Sequence, residues 1–250
     1  MVNKILKIKN KILKMAAKHQ ELNALYYSFS IRNGVFEYEG EDTVDDFEIL
    51  MNAVARDRDI NGIDIGEIYM KDNILDVLTN MLKHNPNITS LSLHQINSGN
   101  GFMPSKSFTR FLDFLSTNNN ITHLGYYNMG FYPNVKSFAD MIKTNKTLKS
   151  LDLFNDFMEN NDIKILSEAL TVNHTLTSID LSNNQFDDTG LEYLFEAFKS
   201  NYSLTTVELL KEVDPDDINF DQRMIDDINK ETASNAEHGH ELLYRLLKNI

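Results

Sequence analysis

Three carboxylates, Asp152, Asp180 and Glu208, recur at intervals of 28 in this chain of 250 residues. So far apart along the chain, they act together only if the fold sets one beside the next. If it does, three adjacent carboxylates form a strip that attracts Lys or Arg. Other candidate chemistry is sparse. Glu237-His238-Gly239-His240-Glu241 holds metal-ligand types, but its spacing fits no tetrahedral site. Asp214-Pro215-Asp216-Asp217 lacks the order of a calcium loop. There is no GxxxxGK[ST] stretch to cradle a phosphate, and no cysteine to act as nucleophile, disulfide or zinc ligand. The expectation is a protein without metal or cofactor and without catalysis of its own.

Composition narrows the partners. The net charge is -13, while six lysines and no acid occupy residues 1–20, so the rest of the chain is more acidic still. An acidic body repels phosphate backbones, and nucleic acid is not an expected partner. No apolar run approaches the ~20 residues that span a bilayer, and lysines interrupt any secretory h-region. A cytoplasmic location is expected, or the cytosol of a host if the chain is a secreted effector.

The carboxylates sit in a repeat. Asn85, Asn118, Asn145, Asn173 and Asn201, with Asp57 before and Asn229 after, are spaced 28, 33, 27, 28, 28 and 28 apart. A fixed period of this size marks a solenoid, in which no unit buries its own apolar face alone. A strand pattern follows most markers: INGIDIGEIYM from Ile60, ITSLSLHQINS from Ile88, ITHLGYYNMGF from Ile121, LKSLDLFNDFM from Leu148, LTSIDLSNNQF from Leu176 and LTTVELL from Leu204. Apolar residues hold positions 1, 4 and 6, the alternation of a strand buried on one face. A degenerate copy, IRNGVFEYEGE, is expected to start at Ile31.

Helical spacing takes over in the second half of each unit. In DDTGLEYLFEAFKSN, Leu191, Leu194, Phe195 and Phe198 share one stripe, and Asp187, Asp188 and Thr189 supply N-cap oxygens. The marker Asn reads as a helix stop in the left-handed C′ position. The sequons NIT, NKT, NHT and NYS then follow from the repeat rather than from glycosylation.

The pattern LTSIDLSNNQFDDTGLEYLFEAFKSNYSL, from Leu176 to Leu204, resembles leucine-rich repeats of the ribonuclease-inhibitor-like subfamily. Relatives include tropomodulin-like actin cappers, Ran GTPase-activating proteins, innate-immune receptors and bacterial effectors. The resemblance spans roughly residues 31–230 and is strongest over 146–209. It implies an α/β fold, a curved leucine-rich repeat solenoid with a parallel sheet on the concave side and helices on the convex side. It also implies a protein-binding module or scaffold. The family's Asn at position 9 is present only as Asn184; Ile68, Ile96, Met129, Asp156 and Glu212 stand elsewhere, which leaves the loop geometry there open.

On that scaffold positions 5 and 7 face the concave side. Position 5 reads Asp64, Ser92, Gly125, Asp152, Asp180, Glu208, and position 7 reads Gly66, His94, Tyr127, Phe154, Ser182, Leu210. The expected partner-binding surface is an aromatic centre of His94, Tyr127 and Phe154 passing into the strip of Asp152, Asp180 and Glu208. It suits a protein with a basic or amphipathic segment. Two blander readings stand beside it: a solvated acidic face, and aromatics folded inward. One repeat carries an insertion over residues 97–105, with Phe102 at its apolar tip, which is either a further contact or neutral length variation.

The expected divisions are an N-terminal capping helix (1–30), a solenoid (31–230) and a C-terminal capping helix (231–250). Lys4, Lys7, Lys11, Lys14 and Lys18 share one stripe of the first helix, which permits membrane contact; capping is favoured because the apolar arc runs on through Leu22 and Leu25. A GTPase-activating role is the alternative from another class. Against it, the loops after the strands contain no Arg; Arg32, Arg56, Arg58 and Arg110 are placed on the first strand or in helices.

Overall fold

A computed structural model of the chain describes residues 28–32, 35–39, 44–66, 74–94, 105–128, 135–209, 226, 228, 230 and 233. Several expectations lie outside these residues: the basic N-terminal helix with its lysines, Phe102 and nearly all of its insertion, the Asp214–Asp217 and Glu237–Glu241 clusters, and most of the C-terminal cap. The chain forms two compact units. One takes its described residues from Met1–Phe114 and Asn120–Gly125, the other from Leu115–Asn119 and Tyr126–Ile250.

In the first unit β1 (Ser28–Arg32) pairs antiparallel with β2 (Val35–Glu39), and β3 (Gly62–Gly66) and β4 (Ser90–His94) follow in parallel. Val35 is level with Gly62, so β2 is the first repeat strand and begins two residues later than the pattern from Ile31 predicts. Ile31 instead lies on β1, which turns back to pair with β2 at Phe36. The apolar alternation of the hairpin continues through both strands, which is why the pattern alone puts the start too early. Between the strands run α1 (Val44–Val54), α2 (Ile74–His84) and α3 (Ser105–Thr117). Ile63, Ile65, Leu91 and Leu93 point from the strands into a core closed by Phe47, Leu50, Met51, Leu78, Met81 and Leu82, all buried. Each such side chain contributes about 1.5–3 kcal/mol by leaving water. The boundary between the units falls within α3 and within β5 (His123–Tyr127).

The second unit continues as α4 (Val135–Thr144), β6 (Ser150–Asp152), α5 (Asn160–Leu170), β7 (Ser178–Asp180), α6 (Asp188–Phe198) and β8 (Thr206–Glu208). β6, β7 and β8 are parallel and in register, with Leu151 level with Ile179 and Ile179 with Val207. These three are buried, as are Leu148, Leu176 and Leu204 at position 1 and Leu153, Leu181 and Leu209 at position 6. Phe138, Ile163, Leu166, Leu191, Leu194 and Phe198 close the core from the helices. Tyr126 is buried against Phe138, ring centroids 5.7 Å apart. Burial, then the nearby Asp156 carboxylate, push its phenol well above its ordinary pKa.

The marker asparagines do something other than stop helices in a left-handed conformation. Among the described ones, Asn85, Asn118, Asn145, Asn173 and Asn201, none has positive φ. The side chains of these five are buried, and those of Asn85, Asn145, Asn173 and Asn201 tie their repeat to the one before. Asn173 donates from Nδ2 to Ile142 O (2.7 Å) and Asn145 O (3.3 Å), and its Oδ1 accepts from the Thr175 and Leu176 amides (2.9 and 2.8 Å). Asn201 repeats this toward Leu170 O and Asn173 O, and Asn85 toward Val54 O and Asp57 O. The correction has a physical cause. A helix end leaves carbonyls without partners, and an amide that both donates and accepts satisfies them along with the amides of the turn into the strand. The same bonds occupy and bury the Nδ2 atoms of the sequons at Asn145, Asn173 and Asn201, which no glycan reaches in the folded chain.

The left-handed conformation appears one element later. Asn128, Asn155 and Asn183, position 8 of three successive repeats, have φ of 59°, 56° and 59°. Asn tolerates this region better than other non-glycine residues. The single position-9 asparagine serves two repeats. Asn184 donates to Leu153 O and Leu181 O (2.9 Å each) and accepts from the Asp156 and Met158 amides (3.0 Å each). The divergent loop after β6 is thereby shaped by its neighbour.

Among the described residues no helix is long and apolar enough to cross a membrane, and no group of three or more His, Cys, Asp or Glu could hold a metal ion.

Candidate functional site

Parallel pairing places Asp152 level with Asp180 and Asp180 level with Glu208, so residues 28 apart in sequence become lateral neighbours. At about 5 Å in water each neighbouring pair repels by about 0.8 kcal/mol. Local bonding offsets this. Asp152 Oδ1 accepts from the Phe154 amide (3.0 Å) and Asp180 Oδ1 from the Ser182 amide (2.9 Å), each carboxylate closing a tight turn where its strand ends. Exposure differs along the row: Asp180 is only 8% exposed, Asp152 is half-buried and Glu208 is exposed. Asp180 therefore anchors the row, and Asp152 and Glu208 offer the surface.

Tyr127 and Phe154 come together at the strand ends of this unit. The Asn128 amide donates to Phe154 O (3.1 Å), and Asn155 Nδ2 donates to Asn128 Oδ1 (2.6 Å). Both rings are half-buried. The next residue of the column, Ser182, is fully buried.

His94 belongs to the first unit and to an arrangement of its own. Its Nε2 lies 3.1 Å from Asp64 Oδ1, an ion-pair distance when the ring is protonated. Gly66, level with His94 on the next strand, makes this possible: a Cβ there would lie 2.0 Å from His94 Cε1. The sequence carries the signal, since Asp64 at position 5 and Gly66 at position 7 immediately precede the strand that holds His94. Columns taken straight across the strands do not reveal it, because the contact is diagonal.

Phe157 is a second residue that the strand pattern does not reveal. It lies beyond position 8, is 56% exposed, and has φ 57°, a conformation that disfavours a bulky residue. Of the arginines, Arg110 pairs with Asp76 at 2.5 Å. Arg56 and Arg58 lie in the turn after α1, not in a helix, and Arg58 Nη1 donates to His84 O (2.9 Å) and Asn85 Oδ1 (3.1 Å). α1 ends at Val54, before either residue, because the turn into β3 begins there.

Parallel strands, helices at one period and an asparagine staple between repeats describe one architecture. A leucine-rich repeat family profile matches residues 172–195. The actin-binding site 2 segment of leiomodin-1 superposes with a TM-score of 0.54 at 18% identity, covering 70% of this chain and 94% of that one. The chain has a leucine-rich repeat fold. Two further solved structures are similar at lower scores. The tropomodulin C-terminal domain of Caenorhabditis elegans has 14% identity, a TM-score of 0.44 and coverage of 82% and 99%. The leucine-rich repeat protein LegL7 of Legionella pneumophila has 14% identity, a TM-score of 0.42 and coverage of 76% and 68%. No curated protein sequence matches the chain.

Proposed function

We propose that the chain is a non-catalytic protein-binding module that engages a basic or amphipathic segment through the helix-free face and strand ends of its second unit. The observation that supports this most is the in-register row of Asp152, Asp180 and Glu208 beside the half-exposed rings of Tyr127 and Phe154. Aromatic anchors bordered by a polar rim are a common composition of protein interfaces. Glu208 and Asp152 would meet Lys or Arg, while Tyr127 and Phe154 would cover apolar stems. The leiomodin-1 segment with this fold is named for actin binding. That supports protein binding as a class and leaves the partner to the chemistry of this chain's own surface.

The test is to recover partners with the wild-type chain and measure the affinity of the recovered protein by calorimetry for wild type and for a Tyr127→Ala/Phe154→Ala variant. A loss of about 2 kcal/mol for each ring that is a hot spot is expected. Unchanged affinity in a variant that melts normally would remove this surface from consideration.

A further inference from the structure

The two edges of the second unit are chemically opposite. Its helix-to-strand turns, residues 141–150, 170–178 and 198–206, hold Lys143, Lys146, Lys149, His174 and Lys199 and no carboxylate. They lie side by side. The Thr177 amide bonds Lys149 O (2.8 Å), the Thr205 amide bonds Thr177 O (2.9 Å), and the rings of His174 and Tyr202 stack with centroids 6.5 Å apart and planes 13° from parallel. The strand-to-helix segments, residues 152–162 and 180–192, hold eight carboxylates, of which Asp156 and Asp180 are buried, and no Lys, Arg or His. These too are adjacent, joined by the Asn155 amide to Ser182 O (3.1 Å) and the Gln185 amide to Met158 O (2.9 Å).

Helix dipoles explain part of this. Asp162 and Asp187 sit at helix N-termini, and Lys143 in a last turn. Lys143 and Lys199 are further balanced by Asp140 and Glu196. Lys146 and Lys149 are exposed beyond the helix and bond only main-chain carbonyls, Lys143 O at 3.5 Å and Thr175 O at 3.3 Å. Nor does a dipole explain the apolar side chains. The large hydrophobic residues exposed among those described are Phe157 (56%) on the acidic edge, and Val172 (53%) and Tyr202 (40%) on the basic edge. Each edge thus carries an exposed apolar side chain on segments whose charged residues are of opposite sign.

We propose that the basic edge of one copy of this chain docks on the acidic edge of another, head to tail, with Tyr202 and Val172 of one copy against Phe157 of the next. Charge complementarity selects the occupant. The basic edge calls for a carboxylate-rich surface with an exposed apolar residue, and the acidic edge is one. α5 and α6 both lead from one parallel strand to the next, so they run the same way. Their dipoles, positive at the acidic edge and negative at the basic edge, offset part of the side-chain charge, and the complementarity rests on the side chains. The net charge of -13 opposes approach. Beyond about 8 Å, however, physiological salt screens that repulsion, whereas charges in contact are screened far less. Such a contact uses two different patches and is therefore heterologous: it extends until an edge is blocked. The idea does not rest on the proposed partner-binding role, and its test needs no partner.

The test is sedimentation of the full chain over a range of concentrations, alone and in mixtures. For the wild type the average mass should rise above the monomer as concentration rises to about 100 μM, a range that registers weak association. Phe157→Asp and Tyr202→Asp each spoil one edge, and each should stay monomeric alone. Mixed, they should form a 1:1 dimer and stop there, because the mixture retains one good edge of each kind. Lys146→Glu/Lys149→Glu should weaken wild-type association at least tenfold. Both aromatic positions are exposed, and unchanged melting would show the fold intact. A monomeric wild type overturns the proposal. So does association that survives Phe157→Asp, which would mean a symmetric contact. A monomeric chain that instead binds poly-glutamate or phosphatidylserine vesicles through Tyr202 would assign the basic edge to another occupant and overturn it as well.

Discussion

Asn201 donates its side-chain amide to the main-chain carbonyl of Asn173, 28 residues earlier, at 2.9 Å, and Asn173 in turn donates to Asn145. The contact joins two buried polar groups, so each satisfies the other and neither has water as a substitute. The period of the sequence is in this sense a hydrogen-bond period.

Asn173→Ala should therefore cost far more than its size suggests. It strips partners from Ile142 O and Asn145 O on one side and from the Thr175 and Leu176 amides on the other. Buried groups left unsatisfied cost about 1–3 kcal/mol each, and partial relaxation should hold the total near 3 kcal/mol. Asn173→Asp keeps the acceptor half and should cost less at the turn, but it sets a carboxylate against two carbonyls. Urea unfolding measures both. A change under about 0.5 kcal/mol for Asn173→Ala, within the range of ordinary surface substitutions, would mean that the staple is incidental.

Gly190→Ala tests whether packing or propensity wins. Gly190 lies in the first turn of α6, where Ala would normally gain up to about 1 kcal/mol. Here a Cβ would lie 2.8 Å from Phe186 Cβ and Cδ2 and 2.9 Å from Asn160 Oδ1. Phe186 is buried, and Asn160 is held by Asp187, so neither yields freely. Overpacking of this kind costs about 1–3 kcal/mol, so a net loss is expected. A higher melting temperature for the variant would refute it.

The repeat architecture is legible in the amino-acid sequence itself. Strand alternation locates the buried face of β3, β4, β6, β7 and β8, and the 28-residue spacing sets Asp152 beside Asp180 and Glu208. Other features are ambiguous at that level for physical reasons. The pattern from Ile31 is apolar enough to pass for a repeat strand, yet it spans a hairpin, because alternation has no direction and cannot tell parallel from antiparallel pairing. The marker Asn is legible as a position but not as a role, because helix stop and inter-repeat staple want the same residue in the same place. Exposure is hidden as well. Asp152 and Asp180 occupy equivalent positions with the same turn bond, and only three-dimensional packing leaves one half-buried and the other nearly covered.

Asp187 sets an acid-side dependence. Its carboxylate caps α6 through the Thr189 amide (2.9 Å) and accepts from Asn160 Nδ2 (2.8 Å), and these bonds hold its pKa below the ordinary 3.8. A carboxyl with a lowered folded pKa contributes stability above its unfolded pKa and loses it as pH falls through the folded one. Asp187→Ala should thus be less stable than wild type at pH 7, and the gap should narrow below pH 3.8. Paired melts at pH 7 and pH 3 measure it. A gap that stays constant with pH would mean the charged form is not what caps the helix.

Phe157 separates stability from surface function. At φ 57° a side chain with Cβ is disfavoured by about 1–2 kcal/mol, and Asn least among them because its short polar group bonds locally. Asn155 and Asn183 already occupy such positions in the same unit. With Phe157 more than half exposed, it gains little from burial to offset the strain. Phe157→Asn should therefore hold stability level or raise it by about 0.5–1 kcal/mol, a fraction of the strain relieved. At the same time it should lower association of the chain with itself. A variant that is more stable yet no longer associates would show that the strained ring is kept for the surface. Destabilisation beyond about 1 kcal/mol would instead make Phe157 a packing residue, and the acidic edge would lose its apolar contact.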